Sequence, residues 1–128
     1  MLLQITAIYA AIIVVGVVIL ANIVSAHRGR TGVSIYDGGD LRLALAIRRH
    51  GNLAENAALA LLVLALSEMR GMPGWGVHAL GILLIVSRVA HTVGLHPEKP
   101  TAPLRIAGGA GTQLMLLIAA GFLLFSQF

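Results

Sequence analysis

At 128 residues the chain has the length of a single domain, and 58% of it is hydrophobic, with a mean hydropathy of +0.91. Soluble domains run at about 45–50% apolar, so a soluble fold of this size would leave apolar surface in water, and lipid is the expected solvent. The absence of cysteine excludes disulfides and thiolate metal sites, while the net charge of +4 comes from basic side chains that flank apolar runs, with aromatics at only 5%, which argues for a membrane and against nucleic acid.

A helix that crosses a bilayer core needs about 20 apolar residues, and four segments meet that requirement. The first is roughly residues 5–26, "ITAIYAAIIVVGVVILANIVSA". Its "VSA" end resembles a signal-peptide cleavage site. However, "MLLQ" has no basic residue and the apolar run is longer than a signal core, so the segment is expected to stay as a span. The connection that follows carries "YDGGD" (36–40), read as a turn whose Asp40 caps the next helix. No carboxylate cluster accompanies it, and no metal site is expected.

The second span is roughly 43–69 and opens with "IRRHGNLAEN" (47–56), an unusual concentration of polar groups in a chain with only 11% charged residues. Arg48, Asn52 and Glu55 are spaced i, i+4, i+7 and share one helix face, with Asn56 beside it. Glu55 lies well inside the span, where an unpaired carboxylate is costly. Arg48 and Arg88 are its candidate partners. "GMPG" (71–74) turns the chain into a third span, roughly 75–95, which ends in "SRVAHT". There Arg88 and His91 are i, i+3, and Ser87 and Thr92 add hydroxyls. The proline-rich "HPEKPTAP" (96–103) leads to the fourth span, roughly 104–127, opened by Arg105 with Thr112 two turns deeper. "GGAG" (108–111) follows no strand and is expected to allow close helix approach rather than to bind phosphate. Tyr9 and Trp75 are read as interfacial anchors, His78 as interfacial, and His27 and His96 as loop residues.

Eight of the nine basic residues fall in or beside the first and third connections. By the positive-inside rule those connections are cytoplasmic and both termini face the other side. The polar groups of spans two, three and four then gather at the cytoplasmic ends, in position to form a pocket for an anionic, hydrogen-bonding ligand beside lipid. The plainer alternative is that Glu55 pairs with arginine to hold the bundle while other arginines snorkel to phosphates.

"IRRHGNLAEN" resembles the Arg-x-x-x-Asn-x-x-Glu signature of the MAPEG family, the membrane-associated proteins in eicosanoid and glutathione metabolism. "SRVAHTVG" is similar to that family's third-helix motif, and "APLR" (102–105) to the start of its fourth helix. The region from "YDGGD" to "AIRRHGN" looks most like the family's short bacterial branch. The resemblance implies an all-α, integral membrane four-helix bundle spanning residues 1–128, assembled as a homotrimer in a bacterial inner membrane. Glutathione would act as cosubstrate between neighbouring subunits at the cytoplasmic side. Carried over residue by residue, Arg48, Asn52, Glu55, Arg88, His91 and Arg105 match ligand-site positions, and Arg28 matches an arginine supplied by the neighbour. Two positions depart from the pattern: the family's third-helix tyrosine falls at Leu95, and a basic residue after the second-helix histidine falls at Gly51.

The chemistry of these residue types agrees with a thiol ligand. Arginines bind carboxylates through paired, charge-assisted hydrogen bonds, and a nearby guanidinium favours a thiolate, the nucleophilic form. Arg105 is the expected thiolate stabiliser, and Glu55 would bind the ligand's ammonium group or fix an arginine. The expected activity is glutathione-dependent transfer to, or peroxide reduction of, a small lipophilic substrate. The alternative is a non-catalytic lipid- or ligand-binding scaffold of the same fold.

Overall fold

The computed structural model describes residues 3–126, and among them the only regular elements are four helices: α1 (Gln4–Thr31), α2 (Leu41–Met69), α3 (Gly74–Gly94) and α4 (Pro103–Phe125). Each is long and apolar enough to cross a membrane. The expected spans coincide with them to within one or two residues except at the end of α1, which runs five residues past position 26. His27 therefore lies on the last turns of a helix rather than in a loop. Residue 127 of the fourth expected span lies outside the described residues.

Local chemistry sets most boundaries. α1 ends at Gly32, which adopts the left-handed conformation (φ 69°) and returns its N–H to the Arg28 carbonyl. Asp40 caps α2 as expected, accepting from the Leu43 N–H at 2.7 Å. Gly71 (φ 86°) and Pro73 turn α2 into α3, and α4 starts with Pro103 in its first turn, where a missing N–H costs nothing. The loop after α1 is braced from within: Arg28 Nη1 donates to the carbonyls of Val33 and Tyr36, and Tyr36 takes a left-handed φ of 57° unusual for an aromatic residue.

α3 and α4 form the tightest pair. Glycines permit it: a Cβ at Gly108 would collide with the His91 backbone, one at Gly111 with Ser87 Oγ, and one at Gly94 with the α4 backbone at Arg105. The small-residue reading of "GGAG" is thus correct. Leu64, Val77, Leu84, Met115 and Ala119 fill the centre of the bundle.

α1 packs on α2 and α3 and does not touch α4. Its fully buried residues are Thr6, Tyr9 and Ile13, all in its first half. Two contacts fasten that half. Glu68, near the end of α2, accepts from the Ile5 and Thr6 backbone N–H groups at 3.0 and 2.8 Å, capping α1 from another helix. Tyr9 lies flat against Gly81, where any Cβ would strike its ring, and its hydroxyl pairs with His78 Nδ1 at 2.9 Å. Tyr9 is therefore a core residue, only 6% exposed, and not the interfacial anchor its sequence position suggested. Its apolar ring fills the space over a glycine while its one polar group finds a partner inside. Trp75, by contrast, is 77% exposed at the start of α3.

Candidate functional site

At the basic end of the bundle a cleft of about 290 Å³ opens between the start of α2, the end of α3 and the start of α4. Arg48 and Asn52 reach it from α2, His91 and Leu95 from α3 and its cap, and Arg105 from α4. The antiparallel alternation of the helices brings these four polar residues together: the N-termini of α2 and α4 lie at the same end as the C-terminus of α3. Arg105 is steadied by a hydrogen bond from Nη1 to the Pro100 carbonyl at 3.2 Å, so the proline-rich connection aims the side chain.

Arg88 lies behind this cleft. It is 3% exposed, donating from Nη1 to Asn52 Oδ1 at 2.8 Å and from Nη2 to the Gly108 carbonyl at 2.9 Å. Both acceptors are neutral, and Arg88 Nε has no acceptor. The sequence placed Arg88 among the ligand-facing arginines; the structure gives it a positioning geometry. By occupying the Asn52 oxygen, it leaves the Asn52 amide hydrogens for whatever enters the cleft. Thr112 shares the Gly108 carbonyl at 3.0 Å, Ser87 is buried, and Thr92 borders a different groove. These three hydroxyls therefore do not line the cleft.

Glu55 and Arg28 stand apart from it. Glu55 pairs with Arg48 across 3.8 Å, but its side chain is 62% exposed on the outer face of α2 rather than buried in the bundle. Its depth along the helix was legible from sequence; its direction was not. Arg28 is committed to the loop carbonyls of Val33 and Tyr36. Leu95 lines the cleft with no hydroxyl to offer, and its carbonyl accepts from Arg49 Nη2 at 3.1 Å, a cation at the negative end of α3.

Sequence reasoning did not single out Glu68. Its signal was present: a carboxylate at the end of an apolar span whose partner helix has no capping residue of its own at Leu3. Among the described residues no group of three or more histidine, aspartate or glutamate side chains is arranged to hold a metal.

Comparison with known proteins agrees with this architecture. The inner membrane protein YecN of Escherichia coli K12 is 41% identical over 64 residues, which is 50% of this chain and 49% of YecN. The YecN of Escherichia coli O6:H1 matches to the same extent. The matched segment thus spans about half the length of these relatives. No solved structure matches. The match to the MAPEG family, however, runs over residues 6–125, from the first turn of α1 to the end of α4, and the chain belongs to that family.

Proposed function

We propose that the cleft binds glutathione and that the protein is a glutathione-dependent membrane transferase or peroxidase acting on a small lipophilic electrophile. The carrying observation is the convergence of Arg48, Asn52, His91 and Arg105 on one 290 Å³ cleft at the end of an apolar bundle. The two arginines suit the ligand's two carboxylates. Asn52, oriented by Arg88, offers amide hydrogens, and Arg105 is the thiolate stabiliser. The electrophile would arrive through the bilayer, which the four spans contact. The family's general association with glutathione supports the cosubstrate. Calorimetric titration of the detergent-purified protein with glutathione tests the reading, and the absence of binding heat at millimolar ligand would refute it.

A second reading, a non-catalytic lipid- or ligand-binding scaffold, is favoured by Leu95, which gives the cleft an apolar wall where a hydroxyl would assist a thiol. Glutathione binding without a lowered thiol pKa would select it.

The cleft is small for a tripeptide, since ligand sites are usually about 300–1,000 Å³, and a neighbouring copy would supply the missing wall. Glu55 supports this assembly. It lies near the middle of the 29-residue α2, yet its carboxylate projects outward. In a lone subunit that charge would meet hydrocarbon; in a trimer, protein covers it, and Arg28 of a second subunit could turn to the cleft. Native mass spectrometry in mild detergent is expected to show a homotrimer, and Glu55→Gln is expected to shift the distribution toward monomer. A wild-type monomer that still retained glutathione would rule out a shared site.

The proposed location is a bacterial inner membrane, from the name of the relatives, with the basic end cytoplasmic. A C-terminal fusion to a reporter active only in the cytoplasm should therefore be silent. A bright fusion would invert the orientation and put the cleft on the opposite face.

A further inference from the structure

The second half of α1 has no fully buried residue after Ile13, and it leaves a groove of about 340 Å³ against α3. Ile12 and Ile19 form one wall and Ile85, Val89 and Val93 the other. Gly16 exposes the floor, where Leu53 of α2 lies 3.4 Å from the position of a Cβ. The groove reaches up to Leu20. That same residue borders a second cavity of about 240 Å³, lined by His27 of α1 and by Arg42 and Arg49 of α2. The two cavities meet at Leu20 and follow one another along α1 as a broken channel, apolar within the membrane and basic at its end.

The charges at the upper end are uncompensated. Neither Arg42 nor Arg49 pairs with a carboxylate among the described residues, where the ion pair is Arg48 with Glu55. Arg49 spends one N–H on the Leu95 carbonyl and has a buried Nε with no acceptor. The length of the channel is also informative. From Ile12 to His27 is fifteen residues, about 22 Å of helix. Half of a bilayer, headgroups included, is about 20–22 Å. A cationic pocket over an apolar groove of that length has the dimensions of one lipid in one leaflet.

We infer that this channel is a binding site for a single anionic phospholipid, with its phosphate held by His27, Arg42 and Arg49 and one acyl chain in the groove between α1 and α3. The lipid site and the polar cleft are distinct: the basic cavity shares Leu45 but no charged residue with the cleft, and Arg88, which borders the apolar groove, turns its guanidinium N–H groups to Asn52 and Gly108. The lipid would hold the lightly packed half of α1 against the bundle, replacing contacts that the protein itself does not make there. Its occupancy does not depend on what the polar cleft binds.

The test uses the full chain, purified in mild detergent and stripped of lipid, then titrated with phosphatidylglycerol or with phosphatidylcholine carrying the same acyl chains. Bound lipid is counted by native mass spectrometry. Phosphatidylglycerol is expected to bind more tightly, and Arg42→Gln to weaken it by about fivefold, the usual contribution of one basic side chain at a lipid surface. Val89→Phe, a change at a residue 59% exposed on the groove wall, should weaken it comparably by filling the acyl groove. Arg49→Gln is a poorer choice, because it also releases the end of α3. Inorganic phosphate should not displace the lipid. Equal retention of the two lipids would overturn the assignment, as would indifference to both Arg42→Gln and Val89→Phe. Displacement by phosphate alone would also overturn it, leaving a simple anion pocket. Glutathione titration of the same variants should be unchanged, so failure of the lipid site and failure of the polar cleft are read separately.

Discussion

Glu68→Ala is expected to lower the unfolding free energy by about 2–4 kcal/mol, the sum of two backbone donors each left without an acceptor at about 1–3 kcal/mol, reduced by water reaching the end of the bundle. Glu68 is 9% exposed, and its carboxylate accepts from the backbone N–H groups of both Ile5 and Thr6. It also places a negative charge at the positive end of the α1 dipole. Because Leu3 provides no cap, removal of Glu68 should fray the first turn and loosen the half of α1 that carries its buried residues. Glu68→Gln keeps one acceptor oxygen and should lose about half as much. Thermal unfolding in detergent reads both. Glu68→Ala melting at the wild-type temperature would show that the cap contributes nothing to the fold.

Arg105→Leu is expected to act on chemistry rather than on folding. If the wild-type site lowers the bound thiol pKa from about 8.5 to about 6.5, most bound glutathione is thiolate at pH 7. Returning the pKa to its free value leaves only a few per cent ionised, so conjugation of a generic hydrophobic electrophile at neutral pH should fall by roughly twentyfold, equivalent to about 2 kcal/mol. The pH dependence follows in sign. A lowered thiol pKa favours turnover between the bound and free values, and the variant should recover toward wild-type rates as pH rises above about 8.5. Binding should fall less, because Arg48 and Asn52 remain in the cleft. Ultraviolet titration of the bound thiol measures the shift directly. A wild-type thiol titrating at its free value would refute the enzyme reading and leave the scaffold.

The elements of the fold were visible in the chain because lipid imposes a simple rule: a backbone in hydrocarbon must satisfy its own hydrogen bonds, so long apolar runs become helices. Asp40 as a cap and the small residues at 108–111 were equally local, one a side chain bonding three residues on, the other a stripe on one helix. Tyr9 shows where local reading fails. An aromatic near a span end has two outcomes, interface or core, and a glycine seventy-two positions later decided between them.

Which helix faces are polar, and at which end of the bundle they gather, could be read along the chain, because the i, i+4, i+7 spacing and the alternating direction of the spans are properties of the chain. Which side each polar group serves depends on how the helices pack. Arg48, Asn52, His91 and Arg105 meet at one cleft, Arg88 turns inward to hold Asn52, Arg28 closes its own loop, and Glu55 faces outward. The reason is geometric. Helical spacing fixes angles about one axis, whereas a site depends on the rotation of each helix relative to the others. That rotation is set by the glycine contacts between α3 and α4 and by the Glu68 and Tyr9 attachments of α1, contacts between residues that are distant in sequence.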